Sequence, residues 1–267
     1  MNNSEFKDKV IWITGASSGI GEQLSKQLSA LGAKLVLSAR REDELQRVAA
    51  QCSNNANIMI LPLDLAKVEN APALVDQIIA RFSRIDILIN NAGVSQRSKA
   101  IQTDVSLDRM FMEVNFMSSV ILTKAVLPQM IKNQSGHIVA VSSILGDFGL
   151  ALHSTYSAAK HATNAFFESL REEVKNQHID ITIISPGFIK TNVALNAITH
   201  EGTKYNVNSP AQEKGMEASE CAAKIINAVA SKKRSSYIGR VELLMVPIHH
   251  YAPRLFYWLM EKMSKKD

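Results

Sequence analysis

Val10-Ile11-Trp12-Ile13, a short apolar run, is followed directly by Thr14-Gly15-Ala16-Ser17-Ser18-Gly19-Ile20-Gly21. The apolar run is typical of a buried parallel strand, and a helical pattern begins after the glycines at Leu24, Leu28 and Leu31. Strand, glycine turn and helix in this order predict the first unit of a doubly wound α/β sheet. In such a unit the backbone N–H groups of the turn and of the helix N-terminus face a pyrophosphate, and glycine lets the backbone approach it closely.

The glycine spacing, G-x-x-x-G-x-G, differs from the G-x-G-x-x-G dinucleotide fingerprint. A tight strand-to-helix turn without a ligand is therefore the alternative interpretation. On the ligand-binding interpretation, the dinucleotide contacts in this turn are Gly15, Ser17, Ser18, Gly19, Ile20 and Gly21.

Strand-like runs rich in valine, isoleucine and leucine alternate with helical patterns along the rest of the chain. Such continuous apolar strands are buried on both faces, as in a parallel sheet with helices on each side. The 267 residues, 46% of them hydrophobic, are enough for one large core. We therefore predict a single α/β domain over residues 1–267, a doubly wound, Rossmann-type parallel sheet of about seven strands with helices on both faces. After the first strand, strands are predicted at 34–38, 57–63, 86–89, 137–141, 179–184 and 237–238, and helices at 42–52, 68–82, 107–132, 155–176 and 219–231.

Charge, cysteine and histidine usage argue against several classes of protein. The net charge of +5 is mild, and no basic stripe interleaved with aromatic residues predicts nucleic-acid binding. Cys52 and Cys221 are predicted to be packed thiols, as expected in a reducing compartment. His249-His250 lacks metal-ligand spacing with a further His, Cys or carboxylate, so no metal site is predicted. The polar first ten residues predict neither a signal peptide nor a membrane anchor, which favours a cytoplasmic protein.

The strongest chemical signal lies on a predicted helix, in Tyr156-Ser157-Ala158-Ala159-Lys160. A spacing of four places the phenol of Tyr156 and the ammonium of Lys160 on one helix face, one turn apart. A tyrosine ordinarily loses its proton at a pH of about 10, so a Tyr acting as acid or base near neutrality needs its phenolate stabilised. A shift of about three pKa units takes roughly 4 kcal/mol, which one close, partly desolvated Lys can supply.

The chain resembles the short-chain dehydrogenase/reductases over essentially its whole length. The run from Ser185 to Tyr205 and the carboxyl-terminal tail most resemble the branch of animal orphan reductases called family members 7B and 7C. The motifs that carry the resemblance occur in the family's order: Thr14 to Gly21, Asp64-Leu65, Asn90-Asn91-Ala92-Gly93, Asn115, Ser142-Ser143, Tyr156 with Lys160, and Pro186-Gly187 with Thr191.

The resemblance implies catalytic roles for four residues. Ser143 would hold the substrate oxygen, with Ser142 as the alternative, and Tyr156 would donate a proton to that oxygen. Lys160 would lower the pKa of the phenol and hydrogen-bond the nicotinamide ribose, so that Tyr156 and Lys160 also belong to the cofactor site. Asn115 would join Lys160 to a water and so relay protons from solvent. For isolated Ser and Asn residues, a cap or a turn is the commoner role.

The resemblance also implies how the rest of the dinucleotide is held. The adenosine side would be lined by Asn91, Ala92 and Gly93, although the same segment can be a purely structural turn. Asp64 and Leu65 would meet the adenine ring. The nicotinamide carboxamide would be held by Pro186, Gly187, Ile189 and Thr191.

The charge at the end of the second strand indicates which dinucleotide binds. NAD enzymes of this fold place an acid there to accept the ribose 2′-hydroxyl, whereas this chain has Ala39 followed by Arg40 and Arg41. A guanidinium can bind a 2′-phosphate through two hydrogen bonds. NADP(H) is therefore the predicted cofactor, with Arg40 preferred over Arg41. The glycine turn, with Ser17-Ser18, lacks the extra basic residue that some NADP enzymes use.

Two segments depart from the alternation of strands and helices. The polar residues 192–215 follow the sixth strand at the ligand-binding edge and predict a substrate lid. Residues 241–267 form an apolar tail with a basic end, Lys262 to Lys266. This tail is predicted to pack on the domain or on a neighbouring subunit; the alternative is that 241–266 lies on a membrane surface. Small residues along the Tyr156 helix permit close helix contact, namely Ala158, Ala159, Ala162 and Ala165. The resemblance implies a homodimer or homotetramer formed there, and the alternative is that this face packs against the sheet.

The predicted function is an NADP(H)-dependent oxidoreductase that reduces a ketone or aldehyde, or oxidises the alcohol, with Tyr156 as proton donor. The expected pocket is apolar, which favours an apolar substrate, and the resemblance to the 7B and 7C branch implies a lipid- or steroid-like carbonyl. Its predicted lining is Ile144, Leu145, Phe148, Leu150, Phe188, Val193 and Leu195. The alternative is a catalytically silent NADP(H)-binding sensor or scaffold, but such proteins usually lose the Tyr, Lys or Ser, and this chain retains all three.

Overall fold

Seven parallel strands form the central sheet of the computed structural model, which describes residues 5–53, 55–68, 70–207 and 210–264. Those seven strands, together with the two strands β7 and β8 of a separate small sheet, are β1 Val10–Thr14, β2 Lys34–Ser38, β3 Ile58–Ile60, β4 Ile87–Asn90, β5 Gly136–Val141, β6 Ile179–Pro186, β7 Ile189–Lys190, β8 Met216–Glu217 and β9 Ser235–Ile238. The sheet order is β3-β2-β1-β4-β5-β6-β9, and β7 pairs separately with β8. The predicted doubly wound parallel sheet is confirmed. Its order reverses between β1 and β4, so a ligand crevice is expected at the carboxyl ends of these two strands.

Helices cover both faces of the sheet. They are α1 Gly19–Ala30, α2 Glu42–Ala50, α3 Ala71–Phe82, α4 Val105–Met112, α5 Ser118–Lys132, α6 Ser154–Val174, α7 Pro210–Glu213, α8 Ala218–Ala230, α9 Met245–Tyr251 and α10 Pro253–Ser264. β3 is shorter than predicted and is an edge strand that pairs only with β2. Beyond it, the N–H groups of Leu61 and Leu63 still donate to the carbonyls of Leu37 and Ala39, each at 3.0 Å. Residue 69 of a predicted helix, residues 208–209 of the predicted lid and residues 265–267 of the tail lie outside the described residues.

Alternation along β1 divides the core into two layers. Ile11 and Ile13 are fully buried on one face, where they pack with Leu24 of α1. Val10 and Trp12 are buried on the other face, in a cluster formed with α3, α5 and α6. Because both faces are covered, the strand ends that border the crevice are held by packing on each side.

A π-helical turn, Glu113–Met117, joins α4 and α5 into the one long helix that the sequence predicts. Among the described residues, this helix alone is long and apolar enough to cross a membrane by length and composition, yet half of its most apolar window is buried within the protein. The polar residue Thr123 of this helix faces inward, since it accepts a hydrogen bond from the buried Asn90 amide at 3.1 Å. We interpret it as a core helix.

The tail packs on the domain with its inner face. Phe256 is 1% exposed and lies in a small apolar cluster with Ile144 and Phe148. The outer face of the tail remains open, with Leu244, Tyr251, Leu255, Tyr257 and Trp258 exposed. Packing on the domain, the first alternative for this segment, is therefore observed for the inner face, and a subunit or membrane contact concerns only the outer face.

A buried histidine makes the fold sensitive to acid. Burial lowers the pKa of His137 to about 4. Its Nε2 lies 2.8 Å from the hydroxyl of Thr182, which gives its own proton to the carbonyl of Lys233. The imidazole is therefore the neutral tautomer that donates from Nε2. Between pH 6.5 and 4 the unfolded chain binds a proton at His137 that the folded chain does not bind. The free energy of unfolding therefore falls as the pH drops from 6.5 toward 4.

Replacing His137 by Gln is expected to reduce this acid sensitivity. The free energy of unfolding, measured with urea at pH 7 and at pH 4.5, should fall by about 2 kcal/mol less in His137→Gln than in the unaltered protein. His250→Gln, at an exposed position of the tail, is the matched control and should retain the full loss. Equal losses in the His137 variant and the unaltered protein would contradict the assignment.

Candidate active site

The glycine turn between β1 and α1 has a shape that fits a phosphate group. Gly15 adopts φ +66, a left-handed conformation that favours glycine. A side chain at Gly21 would collide with the carbonyl oxygen of Gly15, so α1 approaches the turn this closely only with glycine there. α1 begins at Gly19, immediately after Ser17 and Ser18, and its unpaired first N–H groups therefore lie at the crevice. The remaining predicted contact, Ile20, packs partly buried against the core.

The segment after β4 is tied to the end of β1. The Asn91 side-chain amide donates to the carbonyl of Thr14 at 2.9 Å. The Thr14 hydroxyl in turn accepts from the backbone N–H groups of Asn91 at 3.0 Å and Ala92 at 3.1 Å. The side-chain amide of Asn91 is thus engaged within the protein, as in the alternative of a structural turn. Ala92 borders the glycine turn at Gly15, and Gly93 borders the catalytic candidates Asn115 and Lys160.

The adenosine-side candidates lie at the ends of β2 and β3. These ends are adjacent, because the N–H of Leu63 donates to the carbonyl of Ala39 at 3.0 Å. Arg40 and Arg41 are exposed just beyond Ala39. Asp64 is also exposed, and its carboxylate accepts from the N–H of Ala66, whereas Leu65 is buried.

A further arginine that the sequence analysis missed reaches the glycine turn. The guanidinium of Arg47, on α2, donates to the carbonyl of Ser17 at 3.2 Å and forms ion pairs with Glu22 and Glu44. The contacts with Glu22 and Glu44 raise the pKa of Arg47. Only the Glu44 pair, three residues apart on one helix, could have been expected from the sequence.

The predicted nicotinamide contacts form the loop from β6 into β7, here called the nicotinamide-side loop (residues 186–191). Pro186 ends β6, and the N–H of Gly187 donates to the carbonyl of Ile238 in β9 at 2.8 Å. Ile189 is 4% exposed, and its side chain belongs to the core. The methyl of Thr191 lies against Gly19, where an added Cβ would be 3.0 Å away, so this loop meets the glycine turn.

The catalytic candidates converge at the start of α6. Tyr156 and Lys160 lie one turn apart on this helix, with the Lys160 amine 5.8 Å from the centre of the Tyr156 ring. The amine is buried and donates to the carbonyl of Val141, at the end of β5, at 2.9 Å. Ser143 follows β5 two residues later, close enough to Tyr156 for its hydroxyl to lower the pKa of the phenol, and its Oγ accepts the N–H of Leu145 at 3.2 Å.

The two serines after β5 have different contacts. Ser142 is 4% exposed and donates to the main-chain carbonyl of Lys160 at 3.3 Å, which ties β5 to α6. Ser143 faces Tyr156 instead. The structure thus places the preferred serine, and not the alternative, beside the phenol.

The pKa of the phenol differs from the expectation drawn from the sequence. Burial raises the pKa of Tyr156, and the hydrogen bond from Ser143 lowers it by less. Burial also lowers the pKa of Lys160 to about 8. The expected lowering of the Tyr156 pKa by Lys160 is not observed, because the amine donates to Val141 and desolvation dominates both groups.

Asn115 lies in the π-helical turn, with its side chain fully engaged. Its Oδ1 accepts from the N–H of Val94 at 2.9 Å, and its Nδ2 donates to the carbonyls of Val94 and Phe111, each at 3.0 Å. An added Cβ at Gly93 would lie 2.7 Å from Asn115 Oδ1 and 3.7 Å from the Lys160 amine, so the two candidates flank Gly93. A proton relay through Asn115 would therefore use its main-chain carbonyl.

Part of the predicted pocket lining is wrong. Ile144 and Phe148 are each 5% exposed and, with Leu145, pack against the tail. Leu150, Phe188, Val193 and Leu195 remain at least partly exposed. The ring of His153, the residue before α6, lies edge-on to Tyr156 with ring centroids 6.4 Å apart.

Gln96 is a buried residue that the sequence analysis missed. It is 0% exposed, and its Oε1 accepts the backbone N–H groups of Thr155 at 2.9 Å and Tyr156 at 3.1 Å. The first N–H groups of a helix have no partner within it, so Gln96 caps the helix that carries Tyr156. The flanking residues pair with the predicted lid, since Arg97 donates to the carbonyl of Ile198 at 2.9 Å. No motif in the sequence signals this role.

Replacing Gln96 by Leu is expected to destabilise the protein by about 2–4 kcal/mol, because two buried N–H groups lose their acceptor. Urea unfolding monitored by tryptophan fluorescence measures the change. Gln46→Leu, at an exposed position of α2, is the control and should stay within about 0.5 kcal/mol. A loss for Gln96→Leu no larger than that of the control would show that the cap is not formed.

These features place the chain among the Rossmann-type oxidoreductases. Residues 9–202 match the family model described as short chain dehydrogenase. The human protein named dehydrogenase/reductase SDR family member 7 is 41% identical, with 98% of this chain and 79% of the relative covered. The Xenopus tropicalis protein named dehydrogenase/reductase SDR family member 7B is 40% identical, with 98% and 87% covered. The chain belongs to the short-chain dehydrogenase family, as its resemblance predicted.

Solved structures show the same fold. A short-chain dehydrogenase from Streptomyces avermitilis superposes with a TM-score of 0.82 at 27% identity, covering 97% of this chain and 99% of that one. A short-chain dehydrogenase/reductase from Burkholderia phymatum, solved in complex with NAD, superposes with a TM-score of 0.82 at 24% identity, covering 94% and 96%.

Proposed function

We propose that this protein is an NADP(H)-dependent carbonyl reductase that converts a ketone or aldehyde to the alcohol, or the reverse. The observation that carries the proposal is the meeting of Ser143, Tyr156 and Lys160 beside the crevice. The dinucleotide, when bound, supplies hydride to the carbonyl carbon. Ser143 holds the carbonyl oxygen, and Tyr156 donates its phenolic proton to that oxygen as the C–H bond forms.

Proton donation by Tyr156 depends on its neighbours. Burial raises the pKa of Tyr156, so the phenol holds its proton at neutral pH. Because a raised pKa makes the phenol a weaker acid, donation requires the phenolate to be stabilised as it forms, which the neighbouring Lys160 ammonium can supply. The pKa of Lys160, lowered to about 8, is close enough to neutrality for the amine to return a proton to the phenolate. The main-chain carbonyl of Asn115 would hold the water through which that proton is restored.

The glycine turn fits a dinucleotide, because the first N–H groups of α1 have no partner within the helix and Gly21 lets α1 approach the turn closely. Arg40 and Arg41, exposed at the end of β2, support NADP(H) over NAD(H), since they can bind a 2′-phosphate. The residues still open at the pocket, including Phe188 and Val193, support an apolar, lipid- or steroid-like substrate.

NADPH oxidation across a panel of ketones, aldehydes, quinones and acyl and sterol carbonyls tests this function. Turnover with at least one apolar carbonyl is the expected result. Tight NADPH binding without turnover of any panel member would instead favour the sensor or scaffold alternative.

We also propose a cytoplasmic homodimer or homotetramer that contacts itself through α6. Ala158 and Ala165 are exposed on this helix and Met117 on its neighbour, which supports close helix packing between subunits. Light scattering tests the assembly.

We further propose that the exposed tail contacts a membrane surface peripherally. Its Lys262 amine lies 3.9 Å from the centre of the exposed Trp258 ring, so a cation and an aromatic ring stand together on this face, which supports such a contact. Co-sedimentation with vesicles, measured with and without the tail, tests it.

A further inference from the structure

One residue of the tail reaches into the active-site framework. Glu242 lies in the single helical turn Val241–Leu244, between β9 and α9. One of its carboxylate oxygens, Oε1, accepts the backbone N–H groups of Phe188 and Arg240, each at 3.0 Å. Phe188 belongs to the nicotinamide-side loop, whereas Arg240 follows β9. A single oxygen therefore joins the loop to the start of the tail.

Two glycines make room for this oxygen. A Cβ at Gly239 would lie 2.5 Å from Glu242 Oε1, and a Cβ at Gly187 would collide with the same atom. The two glycines lie on different strand ends, and the carboxylate fills the space between them. The contact therefore depends on glycine at both positions, because any larger residue at Gly187 or Gly239 would displace the carboxylate.

The contact fixes the backbone of the loop. The N–H of Phe188 is held by Glu242, and its carbonyl accepts from the N–H of Met216 in β8 at 2.9 Å. Three residues further on, Thr191 lies against Gly19 of the glycine turn. A shift of the backbone at Phe188 would therefore be transmitted to the part of the loop that borders the dinucleotide crevice.

The tail also supports the opposite side of the site. Phe256 packs edge-on against Phe148, with ring centroids 5.1 Å apart, and contacts the cluster that includes Ile144, the residue after Ser143. The tail thus touches both the loop that follows Ser143 and the nicotinamide-side loop.

We infer that Glu242 is a positioning residue that holds the nicotinamide-side loop in its cofactor-binding conformation, and that the tail is part of the active-site framework. The inference rests on the proposed NADP(H) site. Because both N–H groups bind the same oxygen, a neutral amide oxygen can replace the carboxylate oxygen, whereas a methyl group cannot.

The test is the dissociation constant of NADPH, measured by fluorescence titration without any carbonyl substrate. Glu242→Ala is expected to raise it about tenfold, and Glu242→Gln to keep it within about threefold. Glu261→Ala, at an exposed acid on α10 of the same tail, is the control and should leave it unchanged. An unchanged constant in Glu242→Ala, whether or not its melting temperature falls, would overturn the inference.

A second variant separates positioning from general stability. Gly239→Ala should displace the flexible end of Glu242 and weaken NADPH binding as much as Glu242→Ala does. The double variant should then bind no more weakly than either single variant, because both remove one contact. Effects that multiply would overturn the inference. Since binding is measured without turnover, an enzyme that reduces no carbonyl in the panel would refute the proposed reaction and leave this test intact.

Discussion

Replacing Tyr156 by Phe is expected to lower the rate of carbonyl reduction by about a thousandfold or more, while the dissociation constant of NADPH changes by no more than about threefold. Proton transfer by a positioned side chain contributes about 10²–10⁴ in rate, and the phenol is the acid that faces Ser143. The ring itself remains, so its edge-on packing with His153 is kept. Steady-state turnover of a panel substrate and NADPH titration measure the two quantities.

Tyr257→Phe provides the control, because this tyrosine is exposed on the tail and its hydroxyl has no part in the proposed reaction. It should retain full activity. Retained turnover in Tyr156→Phe would remove the phenol from the mechanism. Loss of NADPH binding together with turnover would show that the substitution disturbs the site and not only the proton transfer.

Replacing Arg40 by Asp is expected to reverse the cofactor preference. The ratio of kcat/KM for NADPH to that for NADH should fall by about 10²–10³, because a bidentate contact with the 2′-phosphate becomes a repulsion and the new carboxylate can accept the ribose 2′-hydroxyl. Initial rates with each cofactor at a fixed carbonyl concentration give the ratio.

Arg254→Asp, at an exposed position of α10, makes the same change in net charge far along the chain and should leave the ratio within about twofold. Arg41→Asp, measured in parallel, identifies which guanidinium makes the contact. A ratio that neither Arg40→Asp nor Arg41→Asp alters would refute the charge argument for NADP(H).

Local patterns predicted most of the architecture. The β1 run, the glycine turn and the start of α1 were expected where they are found, because a strand buried on both faces and a tight turn each leave a signal within a few residues. The spacing of Tyr156 and Lys160 also set their common helix face. The short length of β3 was not expected, since edge position is a property of the whole sheet.

The sequence by itself determined the family, the parallel sheet and the identity of the Ser143, Tyr156 and Lys160 candidates, because each depends on residues close together in the chain or on a motif. Only the tertiary structure brings Gln96 to the backbone N–H of Tyr156, 60 residues further along the chain. It likewise brings Glu242 to the backbone N–H of Phe188, 54 residues away. It alone also set the direction of the Tyr156 pKa shift, which follows from burial. Such contacts and such burial depend on how distant segments pack, and packing leaves no periodic or local pattern in the chain.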